Sequence, residues 1–169
     1  MPASVPISFE PLTKPNRTEQ DVEMPDIRPY QDASDREPVI QLWRAAFGYD
    51  AAHNDPALAI AKKVAVQDGL FFVAALGQNI VGTVMAGYDG HRGWLYSVAV
   101  AAEQRRTGLG GRLVRFAETA LTQLGCLKIN LQLVASNQAT AAFYQSLGYL
   151  IEPRVSMGKV LHQNVPTPR

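Results

Sequence analysis

The chain has 169 residues, a length that suits one domain with a buried core and speaks against a two-domain enzyme. Apolar residues make up 47% and charged residues 18%, a balance that excludes a disordered polyelectrolyte. Sixteen Lys and Arg against fifteen Asp and Glu leave a net charge of +1, which speaks against a nucleic-acid binder working by broad phosphate neutralisation.

Six of the eleven prolines fall within residues 1–29, and residues 1–26 carry five acidic groups against two basic ones. Residues 1–25 therefore read as a flexible Pro-rich tail, too poor in apolar side chains for a core. Residues 163–169 read as a second tail, and 26–162 as the folded domain. A short strand is expected at Ile27–Pro29, then a helix with Val39, Leu42, Trp43, Ala46 and Phe47 on its apolar face, ended by Gly48. Asn54-Asp55-Pro56 places a capping acid before a proline at the first helical position and opens a helix running to Gln67. Leu70–Leu76, Ile80–Tyr88 and Trp94–Val100 follow as an antiparallel meander, joined through Gly77-Gln78-Asn79 and the turn Asp89–Gly93. After a Gly-rich turn comes an amphipathic helix with Leu109, Leu113, Phe116, Ala117, Ala120, Leu121 and Leu124 on one face and Gly125 past its end. Leu127–Ala135 is expected as a strand and Gln138–Leu147 as a helix stopped by Gly148. Tyr149–Glu152 and Val155–Leu161 are expected to close the fold as a last strand pair. The order β-α-α-β-β-β-α-β-α-β-β describes an α+β domain with a twisted, mostly antiparallel mixed sheet flanked by helices. Its one strand-helix-strand crossover makes one parallel strand pair.

Several chemistries drop out early. Cys126 is the one cysteine and cannot close an intrachain disulfide, and it reads as a small core residue rather than an acyl carrier. His53, His91 and His162 are scattered without metal-binding spacing, so no metal is expected. No apolar run approaches the ~18 residues of a membrane span, and the N-terminus lacks the basic start and apolar stretch of a signal peptide. The expected location is cytoplasmic, with neither a membrane nor a nucleic acid as partner.

The informative segment is Val98–Arg112: a strand, a turn, and a helix start with Gly108, Gly110 and Gly111. Glycines let backbone close on a ligand, and a helix N-terminus offers unpaired N–H groups and a positive dipole end to an anion. Between residues 101 and 128, Arg105, Arg106, Arg112, Arg115 and Lys128 face Glu103 and Glu118, a local excess of positive charge that fits a small polyanion. No Gly-Lys-Ser/Thr follows as in a P-loop, and position 113 is Leu rather than the third glycine of a dinucleotide fingerprint. The last helix opens with Ser136-Asn137 and carries Tyr144 two turns later on the same face. Taken alone, Asn137 is also a plain helix cap and Tyr144 an interfacial tyrosine.

Two motifs connect these features. Arg105-Arg106-Thr107-Gly108-Leu109-Gly110 follows a hydrophobic strand, and Asn137, Phe143, Tyr144, Leu147, Gly148 and Tyr149 form a second run. Together with the element order from Ile27 to Leu161, they resemble the GNAT superfamily of acetyl-CoA-dependent N-acetyltransferases. The Gly82–Gly93 segment further resembles a small bacterial subfamily related to ribosomal-protein N-terminal acetylases. The resemblance implies that Val98 and Val100 pair through their backbone with the pantetheine arm. It implies that the motif from Arg105 through Arg106, Thr107, Gly108 and Gly110 to Gly111 holds the diphosphate, and that Asn137 contacts the pantetheine. Tyr144 would stand beside the thioester sulfur as general acid. Two departures stand out: Arg106-Thr107 replaces the family's common Gly-Arg, and Ala102 replaces a frequent proline. The implied reaction is direct transfer of acetyl from acetyl-CoA to a primary amine, with a strand N–H near Val98 polarising the carbonyl. Glu103, Asp89, His91 and Tyr96 are candidate bases, and none stands out. Alternatives are a non-catalytic acyl-CoA sensor or scaffold of the same fold and a nucleotide-binding regulatory module. The acceptor amine and the oligomeric state, a homodimer included, stay open.

Overall fold

Among the described residues five strands make one sheet in chain order: β1 Asp26–Pro29, β2 Phe71–Leu76, β3 Asn79–Tyr88, β4 Gly93–Val100 and β5 Ile129–Asn130. Pairing is antiparallel from β1 to β4 and parallel between β4 and β5. The helices are α1 Asp32–Phe47, α2 Pro56–Val66, α3 Leu109–Gln123 and α4 Gln138–Ser146. The computed structural model describes residues 23–48 and 55–161; most of the expected N-terminal tail, residues 49–54 and the expected C-terminal tail lie outside the described residues.

Strand periodicity distributes the core over two faces. On one, Val39 and Trp43 of α1 and Ile60 of α2 pack with Val73, Met85 and Ala99. On the other, Leu113, Val114, Ala117 and Leu121 of α3 and Tyr144 of α4 pack with Phe72, Val84 and Leu95. Val114 takes a core position that the helical pattern left out, whereas Phe116 and Leu124 are 37% and 53% exposed. Close approach of α3 to the sheet explains Gly82, where a Cβ would stand 2.7 Å from Leu113 Cδ1 and 3.3 Å from the Ala99 carbonyl.

Local signals end and begin the helices as their residues require. Asp55 accepts from the Leu58 amide at 2.8 Å, and Gly48 closes α1 in the left-handed region at φ 57. The start of α1 is anchored by Asp35, which is 2% exposed. Its carboxylate accepts from Arg28 Nη1 and Nη2 at 2.7 and 2.9 Å, from the Gln31 amide at 2.8 Å and from Ser34 Oγ at 2.9 Å. A buried charge is stable only when paired and hydrogen-bonded in this way, and the pairing ties α1 to β1.

The C-terminal third differs from the sequence expectation. The strand expected at Leu127–Ala135 contracts to Ile129–Asn130, paired with Gly93 and Trp94 of β4. Tyr149–Glu152 and Val155–Leu161 form no strands; the chain there carries no regular structure and Leu150, Val155 and Met157 are exposed. β-favouring side chains make a strand only where a neighbouring edge accepts its backbone groups, and the β5 ladder ends at Asn130. Side chains instead hold this segment beside the residues that flank β5, through the Lys128–Glu152 ion pair before it and a hydrogen bond from Gln132 Nε2 to Ser156 Oγ at 2.7 Å after it.

Candidate functional site

The site begins with an irregularity in β4. Thr83 stands opposite Ala99 and Met85 opposite Tyr96, so Val84 alone faces two residues, Ser97 and Val98. One extra residue makes a β-bulge, with Ser97 in the left-handed region at φ 48. The bulge reverses the strand's parity. Leu95 packs toward α3, and so do Val98 and Val100, while Ala99 joins the α1 face. Beyond Trp94 the β5 ladder has ended, so the outer edge of β4 at Val98 and Val100 has no strand beside it.

A turn then leads from β4 into α3. A single 3-10 turn at Ala102–Gln104 is closed by Thr107 Oγ1 donating to the Gln104 carbonyl at 2.8 Å, and Arg105 Nε donates to the Val100 carbonyl at 3.3 Å. Gly108 starts α3 at φ 86, and a Cβ there would meet nothing within 4 Å. Asp55 and Asn137 cap α2 and α4 with side-chain oxygens, whereas among the described residues no side chain caps α1 or α3. The first amides of α3, Leu109, Gly110 and Gly111, thus present donors and the positive end of the helix dipole to the open side of the turn. Arg106 lies in the left-handed region at φ 65, a conformation that favours glycine.

The second motif is a lock on α4. Gly148 is left-handed at φ 94, and the amides of Gly148 and Tyr149 return to the carbonyls of Gln145 and Tyr144 at 3.0 and 3.1 Å. This is the Schellman pattern, whose apolar partner contact is made by the rings of Tyr144 and Tyr149, 5.5 Å apart. Tyr149 Oη donates to Glu118 Oε1 at 2.8 Å and so fastens the end of α4 to α3. Tyr144 is 6% exposed and its hydroxyl has no protein partner among the described residues. Since no buried side-chain polar atom there lacks a partner, the hydroxyl is the part that reaches solvent. Burial of the ring pushes its pKa up to about 12.

Three of these elements meet at one point. A Cβ at Gly110 would stand 3.3 Å from Phe143 Cζ and 3.7 Å from Val100 Cγ2, joining α3, α4 and the end of β4. Gly111 is buried in the α3–α4 contact, with Leu147 Cδ2 3.5 Å from an added Cβ. Asn137 Oδ1 accepts from the Thr140 amide at 3.1 Å, the ordinary cap, which leaves its amide nitrogen as a donor. The local basic excess divides: Arg112 donates to the Pro25 carbonyl at 2.8 Å and Lys128 pairs with Glu152, while Arg105 and Arg106 remain at the turn. Cys126 is buried and donates to the Lys128 carbonyl at 3.2 Å, a packing role. Asp89 accepts from the His91 and Arg92 amides at 2.7 and 2.6 Å, which lowers its pKa and marks a turn-former rather than a base.

Residues 36–149 match the Acetyltransferase (GNAT) family. The chain belongs to that family. An acetyltransferase of Yersinia enterocolitica is 37% identical over 136 residues, covering 80% of this chain and 95% of that protein. Two solved GNAT-fold structures superpose equally well. The glucosamine-6-phosphate N-acetyltransferase of Arabidopsis thaliana has a TM-score of 0.63 at 19% identity, covering 83% of this chain and 100% of that one. The ribosomal-protein-S18-alanine N-acetyltransferase of Escherichia coli has a TM-score of 0.63 at 21% identity, covering 74% and 77%. One name carries a sugar phosphate and the other a protein alanine, so the shared GNAT fold does not set the acceptor.

A buried hydrogen-bonded link that the sequence pattern does not announce joins Trp43, Thr83 and Ser97. Trp43 Nε1 donates to Thr83 Oγ1 at 2.8 Å, and Thr83 Oγ1 donates to the Ser97 carbonyl at 2.9 Å. The available signal was one hydroxyl inside the apolar run Val81–Met85 and an indole N–H on an apolar helix face, each needing a partner when buried.

Proposed function

We propose that this GNAT enzyme transfers an acetyl group from acetyl-CoA directly to a primary amine. The observation that carries the reading is the uncapped N-terminus of α3 beside a β4 edge left free past Trp94. Acetyl-CoA supplies the activated thioester. The amides from Arg106 to Gly111, with Arg105 and Arg106, bind its diphosphate, and the open space over Gly108 fits close approach of phosphate oxygens. Val98 and Val100 offer backbone groups to the pantetheine as a neighbouring strand would, and the Asn137 amide nitrogen donates to it. An amide of the bulge, near Val98, polarises the thioester carbonyl.

Tyr144 donates a hydrogen bond to the departing sulfur. Burial holds that hydroxyl at about 12, so Tyr144 keeps its proton through the neutral range as a donor to the sulfur. The acceptor nitrogen loses a proton as the amide bond forms, and that proton balances the released thiol. An α-amine, pKa ~8, is already partly neutral at pH 7 and suits a site without an evident base better than a lysine near ~10.4.

The test is thiol release from acetyl-CoA in the presence of peptide α-amines, lysine side chains and small polyamines. Release that depends on the amine, together with its acetylated product, supports the reading. Tight acetyl-CoA binding with no amine-dependent release points to the sensor or scaffold reading.

A further inference from the structure

Thr83 is a fully buried polar residue in the middle of β3, and its hydroxyl is used twice. It accepts from Trp43 Nε1 at 2.8 Å and donates to the Ser97 carbonyl at 2.9 Å, so the indole leaves the hydroxyl proton committed to the bulge. Ser97 holds φ 48 without being glycine, and such a residue persists only where its surroundings fix it. The buried hydrogen bond supplies that constraint. No peptide bond among the described residues is cis. In a planar trans peptide the N–H points opposite to the C=O of the same unit. With the Ser97 carbonyl held toward the Thr83 hydroxyl, the Val98 N–H points away from that hydroxyl. β5 has parted from β4 after Trp94, and among the described residues no carbonyl outside the strand ladders accepts from Val98.

We propose that Thr83, backed by Trp43, is a positioning residue for acyl transfer, whose hydroxyl turns the Ser97–Val98 peptide so that the Val98 N–H meets the acyl carbonyl in the gap between β4 and β5. The inference rests on the acetyl-CoA reading above and names the residues that aim its carbonyl donor. Thr83 touches no reacting atom and acts through the backbone of Ser97.

Coenzyme A and acetyl-CoA share every contact except those to the acetyl group, so their affinities measured side by side isolate the carbonyl contact. Titration calorimetry on the full chain compares wild type, Thr83→Val, which keeps shape but removes the hydroxyl, and Thr83→Ser, which keeps it. Thr83→Val should lose roughly three- to tenfold in acetyl-CoA affinity, the range of one hydrogen bond, with coenzyme A affinity held and Thr83→Ser matching wild type. Equal losses for both ligands, or an unchanged ratio, overturn the proposal. Should Thr83→Val not fold, the Val98 amide resonance of the wild type decides: a different shift with acetyl-CoA than with coenzyme A supports the contact, and identical shifts refute it. A wild-type chain that binds neither ligand overturns the acetyl-CoA reading itself, and the inference with it.

Discussion

The backbone of Gly110 rests on the ring of Phe143, close enough that a Cβ would stand 3.3 Å from Phe143 Cζ. The first turn of α3 and the helix that carries Tyr144 therefore meet at this glycine. Gly110→Asp adds bulk against that ring and a negative charge beside the open helix N-terminus. The charge favours the helix dipole, so the chain should still fold, but it opposes an anionic ligand. Acetyl-CoA affinity measured by calorimetry should fall by about tenfold or more, a change of ~1.4 kcal/mol. Unaltered affinity would place the diphosphate elsewhere.

Arg106 occupies the left-handed region at φ 65, where a Cβ costs roughly 1–2 kcal/mol. Arg106→Gly removes that strain and adds some unfolded-state entropy. The net effect should be a gain of about 0.5–1 kcal/mol in thermal or urea unfolding, with weaker, less salt-dependent acetyl-CoA binding because a cation is lost. A loss of stability would show that the Arg106 side chain contributes more to the free fold than its backbone costs.

Tyr144→Phe keeps the ring that packs against Phe143 and Tyr149 but removes the hydroxyl. Turnover should drop roughly tenfold to a hundredfold, with acetyl-CoA affinity within about twofold of wild type. Burial holds the folded hydroxyl at about 12, against ~10 in the unfolded chain. The folded state thus keeps its proton longer, so this contribution to stability is whole below pH ~10 and fades as pH climbs to ~12. Unfolding of the Phe variant should show a shallower alkaline loss than wild type, and equal slopes would contradict it.

Asp35 governs the acid side. Burial pushes its pKa up, but hydrogen bonds from Arg28, the Gln31 amide and Ser34 outweigh burial and hold it below the usual carboxylate range. Its contribution is present above the unfolded value, ~3.9, and is lost as pH falls through the lower folded value. Asp35→Ala strands the Arg28 guanidinium and removes the anchor between β1 and α1. It should cost about 1–3 kcal/mol at pH 7, since Arg28 is partly exposed, and flatten the acid limb of a stability-against-pH curve. A cost below ~1 kcal/mol would make the pair equivalent to a surface ion pair.

Signals confined to a few neighbouring residues were readable from sequence. Asp55-Pro56, Gly48 and Gly148 each announce a helix end through local geometry, and the α3 pattern carried its own face. The cap of α4, Asn137, was legible because its signal is local too. The bulge was not, because Ser97 is an ordinary strand-compatible residue whose left-handed backbone is held by Thr83 and Trp43, fourteen and forty residues along the two hydrogen-bonded links. Tyr149–Glu152 and Val155–Leu161 are rich in β-favouring apolar side chains, yet composition does not say whether an edge stands ready to pair. Arg112 and Lys128 were counted toward an anion site because charge can be summed along a chain, whereas their partners, Pro25 and Glu152, come from distant segments.

The proposed function stands on acetyl-CoA binding at the turn before α3 and the open edge of β4. The most direct measurement is the thermal unfolding of the chain with acetyl-CoA, coenzyme A or ATP at equal concentration. At 100 times its Kd a ligand adds about 2.7 kcal/mol of stability, roughly 5–10 °C for a domain of this size. Both coenzyme A species should raise Tm by that order and ATP should not. A shift with ATP equal to that with acetyl-CoA, or no shift with either coenzyme A species, would contradict the account.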